Sequence, residues 1–402
     1  MNVKKLEDVC DFISGLWTGK KPPYINVGVI RNTNFHKNGS LDFSDIAQLD
    51  VEVKQFSTRQ LKFGDIVLEK SGGGPKQPVG RVCVFDKEDG LYSLSNFTSA
   101  IRIKNPKELD YRYLHYYLKH LYVAGETEKI QTHSTGIRNL QLGLYKEFLV
   151  PLPPLATQQL IVTKLDSIFA EIDIATAVAV INSKNAEALF QSYLTEIFER
   201  GGEGWNTTVL DKVCKVDRGS SPRPIKEYFT ENDDGVNWIK IGDTEEGGKY
   251  IFSTNQKITK VGAEKSRYVE VGDFILTNSM SYGRPYIMRI NGYIHDGWFV
   301  LRLNKDIDSE YFYYLLTSPY VQKQFQSLAA GAVVKNISGD LVKKTVLPIP
   351  SLSEQKKLAE IFSEKQTVLK RLSEVYSEKL NELSMLKKSI LTKAFAGELV
   401  KE

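Results

Sequence analysis

"LVPLPPLATQQLIVTKLDSIF" (residues 149–169) and "VLPIPSLSEQKKLAEIFSEKQ" (residues 346–366) each write a proline–hydrophobic–proline step followed at once by a long helical pattern. Pro151 aligns with Pro348, Pro153 with Pro350, Leu155 with Leu352 and Gln158 with Gln355, at one separation of 348 − 151 = 197 residues. Chance rarely holds one offset through so many positions, so the stretch marks an internal duplication. The offset persists from "IRNL" (137–140) against "VKNI" (334–337) to "SYLTEIF" (192–198) against "SILTKAF" (389–395). Upstream the likeness continues with shifting offsets, as loops of unequal length produce: "LEDVC" at 6 answers "LDKVC" at 210, "FGDIVL" at 63 answers "VGDFIL" at 271, and "DYRYLHYYL" at 110 answers "DSEYFYYLL" at 308.

Each half thus holds a diverging region followed by a segment of constant length. The expected boundaries are 1–152, 153–201, 202–349 and 350–402. The constant segments read as helices of roughly 65 to 70 Å at ~1.5 Å per residue. A heptad frame places Leu165, Ile172, Ala179, Ala186 and Tyr193 opposite Ile161, Ile168, Ala175 and Leu189. In the second helix it places Phe362, Leu369, Tyr376, Leu383 and Ile390 opposite Leu358, Leu372 and Leu386, with Lys365 and Lys379 interrupting. A seam sustained over so many turns predicts helix-on-helix packing of the coiled-coil kind. Ser351 with Glu354 reads as a capping box, Pro154 as a preset first turn, and Gly201 and Gly397 as left-handed stops. The diverging regions read as mixed α and β, with short runs such as "YINVGVI", "GRVCVF" and "DFILTN" punctuated by Gly, Asn and Pro. One tyrosine-rich helix per region is expected to pack on its sheet.

At 402 residues the chain suits several structural units, and its composition, 25% charged, is that of a soluble globular protein. No apolar run approaches the ~18 residues of a membrane span, and the start lacks a signal peptide's apolar core, so a cytoplasmic location without membrane contact is expected. Cys10, Cys83 and Cys214 form no CxxC pair and read as buried thiols. A net charge of +4 says little about nucleic acid, so the local distribution must carry that argument.

"SGGGPKQPVGR" (71–81) lacks the Gly-Lys-Ser/Thr end of a phosphate-binding loop. Ser71, Lys76 and Arg81 remain as candidate DNA-backbone contacts, or as a plain surface turn. "NSMSYGRPY" (278–286) follows the equivalent strand of the second half, and Asn278, Ser279, Ser281, Tyr282 and Arg284 are types that read base edges or hold phosphates. "TGIRNL" with Arg138 and Asn139 answers "AVVKNI" with Lys335 and Asn336, as a phosphate clamp or a turn cap; "RGSSPRP" offers Arg218, Ser220, Ser221 and Arg223 as phosphate contacts, or an ordinary surface loop. Catalytic constellations are mostly lacking: "KPPY" at 21 has Lys21 where an amino methyltransferase needs an amide, and the scattered histidines suggest no metal cluster. A metal-dependent nuclease built on Asp42, Glu52 and Lys54 stands as the enzymatic alternative, and a helical adaptor without DNA readout as the structural one.

The whole pattern resembles the specificity subunit of type I restriction-modification systems. The proline-to-helix entries carry the likeness, with "FGDIVLEKSGG", "WIKIGDTEEGGKYI", "GDFILTNSMSYGRPYI" and "IHDGW". The resemblance implies an α+β chain of two tandem target-recognition domains, separated by two long helices that pack as an antiparallel coiled coil. It implies a partner list of double-stranded DNA, read as a split asymmetric sequence, two methyltransferase subunits and restriction/motor subunits. The chain itself would bind no cofactor and catalyse nothing; S-adenosylmethionine, ATP and magnesium would belong to the partners. Pro154 and Thr157, where the second helix has Ser351 and Glu354, depart from a strict repeat.

Overall fold

The computed structural model describes residues 2–16, 19, 21–36, 39–74, 77–134, 136–245, 247–278, 283–329 and 338–400. The chain divides into two compact units, Met1–Ala179 with Glu378–Glu402, and Val180–Ser377. Four helices organise them: α1 (Tyr111–Val123), α2 (Leu155–Arg200), α3 (Ser309–Thr317) and α4 (Leu352–Phe395). Each unit holds a domain built on sheets, one tyrosine-rich helix, and a stretch of both α2 and α4.

In the first unit the central sheet is antiparallel, in the order Cys10–Ser14, Thr98–Ile103, Ile66–Glu69, Val82–Val84. The second unit repeats that order with Cys214–Arg218, Trp298–Leu303, Phe274–Thr277, Pro285–Met288, and adds Tyr250–Ile251 at the edge. Register is repeated too, since Cys10 pairs with Ile103 and Cys214 with Leu303. The shared "GD" turns end in the same ion pair. Asp65 takes the Lys62 amide at 2.7 Å and two guanidinium bonds from Arg102 at 2.7 and 2.6 Å. Asp273 takes the Glu270 amide at 3.1 Å and Arg302 at 3.3 Å. Buried carboxylates persist only when so partnered.

Helices α1 and α3 begin alike. Asp110 caps the amides of Arg112 and Tyr113, and Asp308 those of Glu310 and Tyr311. Tyr113 and Tyr311 lie in the core and donate their hydroxyls to the carbonyls of Pro151 and Pro348 at 3.1 and 2.7 Å. The left-handed stops are present at Gly201 (φ 64°) and Gly397 (φ 81°). At α4 the Ser351 hydroxyl accepts the Glu354 amide at 3.3 Å, but the Glu354 carboxylate accepts the Trp205 indole N–H at 2.8 Å, so only one arm of the expected capping box is seen.

Helices α2 and α4 run antiparallel within each unit. In the first, Asp173 meets Lys387, and Lys164 reaches the carbonyl of Leu399 at 3.0 Å. In the second, Ser183 Oγ lies 3.4 Å from Ser373 Oγ, and the Phe198 ring lies 5.6 Å from that of Phe362. Leu165, Ile172, Ala179 and Phe362 are buried, and Leu369 and Leu383 pack partly buried against their cores, with Tyr376 half-buried. In the second column of the expected frame Ile161 is buried and Ile168 and Leu358 pack partly buried, while three further members are displaced by one residue. Leu189, Leu372 and Leu386 are 63%, 38% and 45% exposed, and their neighbours Phe190, Ser373 and Lys387 turn inward. The polar members of the true column, Thr176, Ser183, Ser373 and Lys387, conceal it from a count of apolar positions. Lys387 is accommodated by Asp173 and by the Phe169 ring, 5.5 Å from its Nζ.

The three thiols lie in the sheets, and burial pushes each up to about 12. Only the thiolate reacts, so alkylation of the folded chain at pH 8 is expected to run about three orders of magnitude slower than that of a free cysteine. Mass spectrometry after brief iodoacetamide treatment checks this: no adduct without denaturant, three with it.

Candidate nucleic-acid interface

Folding joins the stretches that stand apart in the sequence. In the first unit, strand Ser71–Gly73 pairs with Ile137–Leu140, which itself pairs with Gln131–Ser134. Ser71 Oγ and Asn139 Oδ1 are 2.5 Å apart, so the glycine-rich stretch and "TGIRNL" form one half-buried polar edge. Arg138, alongside, is paired with Glu128 at 3.0 Å. Gly72 and Gly73 are steric requirements. Gly72 has φ 100°, and a Cβ on Gly73 would stand 2.5 Å from the Gln77 carbonyl oxygen, beside the Gly74–Gln77 bridge. Lys76 lies outside the described residues.

Arg81 is engaged within the fold. Its guanidinium holds the buried Glu69 carboxylate at 2.7 and 2.9 Å, reaches the carbonyls of Phe35 and Asn32 at 3.4 Å, and lies over the Phe35 ring. A cation committed to a carboxylate that is 1% exposed is a structural bolt.

In the second unit, Asp296 gathers two separate stretches. Ser221 Oγ donates to its Oδ1 at 2.7 Å and Arg223 Nη2 to its Oδ2 at 3.3 Å, while the Asn278 amide donates to its carbonyl oxygen at 2.6 Å. The Ser221 hydroxyl, with smaller help from His295 and Arg223, holds the Asp296 carboxyl below the usual range. Asn278 is 3% exposed, and its side-chain amide is spent on the turn. Arg223 is 82% exposed beyond its contact, and Arg218 is exposed at its strand end. Arg284 is half-buried beside the Tyr286 ring, 5.6 Å away, with its amide on Thr277 Oγ1. Ser279, Ser281, Tyr282, Lys335 and Asn336 lie outside the described residues.

Sequence reading missed Asp296 and Lys249. The Lys249 ammonium pairs with Glu310 and lies 4.5 to 5.4 Å from the ring centres of Tyr313, Tyr314 and Tyr250, an aromatic enclosure that fixes the segment 247–249 to α3. The "HDG" turn was the available signal for Asp296; Tyr313 and Tyr314 stand more than 60 residues from Lys249 in the chain and gave none.

The two acidic nuclease candidates are engaged within the fold. Asp42 Oδ1 takes the amide and hydroxyl of Ser44 at 2.8 and 2.6 Å, and Glu52 takes the Lys21 amide at 2.5 Å. Among the described residues no three His, Cys, Asp or Glu side chains stand together as a metal site, and no helix is long and apolar enough to cross a membrane.

A family model described as the type I restriction modification DNA specificity domain matches residues 1–180 and again 202–383. The chain is 22% identical to a putative type I restriction enzyme MjaX specificity subunit of Methanocaldococcus jannaschii, over 89% of this chain and 85% of that one. It is 23% identical to the EcoKI specificity subunit of Escherichia coli, over 99% and 89%. Among solved structures, a chain from a study of type I R-M complex assembly and conformational transition superposes with a TM-score of 0.77 at 18% identity, covering 99% of this chain and 98% of that one. The HsdS subunit of Thermoanaerobacter tengcongensis superposes at 0.60, with 18% identity and coverage of 99% and 97%. These two are likenesses of fold. With the family model matched once in each half of a duplicated chain, the protein belongs to the type I restriction-modification DNA specificity family, as a specificity subunit with two tandem recognition domains and a helix pair.

Proposed function

We propose that this chain reads a bipartite, asymmetric DNA sequence, one half-site per recognition domain, and catalyses nothing itself. Helices α2 and α4 are the spacer and the rod on which two methyltransferase subunits dock. Those partners carry S-adenosylmethionine and methylate adenine N6, and restriction/motor subunits with ATP and magnesium complete the complex. The observation that carries this reading is the duplicated joint, in which each reader meets its helix through the same Asp cap, tyrosine hydroxyl and proline carbonyl. Readers built alike but with divergent loops suit two different half-sites.

Domain boundaries at 152, 201 and 349 fit this division of labour, with the base- and phosphate-contacting groups drawn from Arg218, Arg223, Arg284 and Arg138 together with Lys76, Ser279, Ser281, Tyr282, Lys335 and Asn336. Ile174 and Val178 on α2, 66% and 49% exposed, and Val368, Leu372 and Val375 on α4, 65%, 38% and 49% exposed, follow helical spacing on their outward sides. Apolar stripes of this kind suit protein partners.

Exchange of residues 1–152 for the corresponding domain of another specificity subunit, followed by genome-wide mapping of methylated adenines in cells that carry the methyltransferase partner, tests the reading. One half-site is expected to change while the other keeps its bases. Alteration of both halves refutes modular readout, magnesium-dependent cutting by the purified chain favours the nuclease, and sequence-independent behaviour favours the adaptor.

A further inference from the structure

Gln158 and Gln355, the glutamines of the two proline-to-helix entries, are 0% and 1% exposed. Each makes the same three bonds. Gln158 Oε1 accepts the Asp110 amide at 2.9 Å, and its Nε2 donates to the carbonyls of Glu108 at 2.8 Å and Pro153 at 2.9 Å. Gln355 Oε1 accepts the Asp308 amide at 2.8 Å, and its Nε2 donates to the carbonyls of Asp306 at 3.1 Å and Pro350 at 3.0 Å.

Both donor hydrogens and one acceptor are thus used in a site without water exposure, where a lost partner is not replaced. The geometry is that of a three-way tie. One side chain rooted in the first turn of the long helix holds the loop and cap of the reader's tyrosine helix and the proline step that connects reader to rod. Tyr113 and Tyr311 pin the same step from the reader's side. Deleting the glutamine leaves the chain connection intact and frees its angle.

We propose that Gln158 and Gln355 are positioning residues that set the gap of the recognised sequence by locking each reader to its helix. The inference rests on the bipartite reading above. To accept a gap one base pair longer or shorter, a reader must shift by ~3.4 Å along the duplex and turn about a tenth of a revolution around it. The clamp opposes that swivel, while bases are read elsewhere, so relaxing it widens the spacing and leaves the half-sites alone.

The test co-expresses the full chain with its methyltransferase partner as Gln158→Ala, Gln355→Ala and both, mapping methylated adenines genome-wide and recording circular dichroism melts of the purified complexes. Methylation at gaps one base pair from the wild-type spacing is expected to rise about tenfold, equivalent to about 1.4 kcal/mol of lost discrimination, with both half-sites unchanged. Folded variants that keep the wild-type gap distribution overturn the proposal, as does a change of half-site bases. A wild-type target without a gap instead refutes the bipartite reading, whatever the variants do. If the alanine variants do not fold, Gln158→Met and Gln355→Met keep the side-chain volume and remove all three bonds without placing a charge in the buried site. They are judged by the same criterion: a broadened gap supports the clamp and an unchanged one overturns it.

Discussion

Arg81→Ala is expected to destabilise the first unit by about 3–5 kcal/mol, because removing one partner of a buried pair leaves the other charge uncompensated. The charge in question is Glu69, 1% exposed and without access to bulk water. Urea denaturation followed by circular dichroism gives the size of the loss, and limited proteolysis shows that it falls in the first unit. Arg81→Lys is expected to lie between, since an ammonium keeps the charge but not the two-pronged geometry at 2.7 and 2.9 Å. The outcome separates two roles for the residue. A phosphate-contacting arginine would leave stability unchanged and lower the salt dependence of DNA binding by a slope of about 0.9. A bolt loses stability and, in whatever fraction stays folded, keeps the slope.

Phe362→Ala is expected to cost about 3–5 kcal/mol in the second unit, the usual range for truncating a buried aromatic to alanine. Its ring is fully buried and stands 5.4, 5.6 and 6.1 Å from those of Tyr314, Phe198 and Tyr193. It therefore joins α4 both to α2 and to the reader's tyrosine helix, and no small shift of one element fills the void. Leu372→Ala, ten residues further along α4, is the internal control, expected to fall within about 0.5 kcal/mol of wild type because the side chain is exposed. Equal losses at the two positions would restore the heptad frame that the apolar count prefers. Thermal unfolding of the two variants side by side decides between them.

The duplication, the two helix entries, the length of the helices and the alternation of reader and rod were all legible in the chain. They depend on offsets and periods, which are properties of one dimension, and on proline and glycine signals that act within a turn. The packing face of the helices was only half legible. Ser183 and Ser373 belong to the seam, yet their place there follows from meeting each other at 3.4 Å, a relation that no periodicity records. The candidate interface was least legible. Arg81 and Asn278 carry the chemistry of DNA contacts, but Glu69 and the Asp296 carbonyl claim them once the sheets close.

Sequence alone determined that this protein is a reader and a rod written twice, because a repeat imposes its pattern before any contact forms. Tertiary structure decided which polar groups remain for a ligand and which hold the fold. A buried charge or amide must find its partner inside, and those partners are brought near only by folding. Gln158 and Gln355 show both sides: their spacing revealed the duplication, and the three bonds of each revealed what it holds.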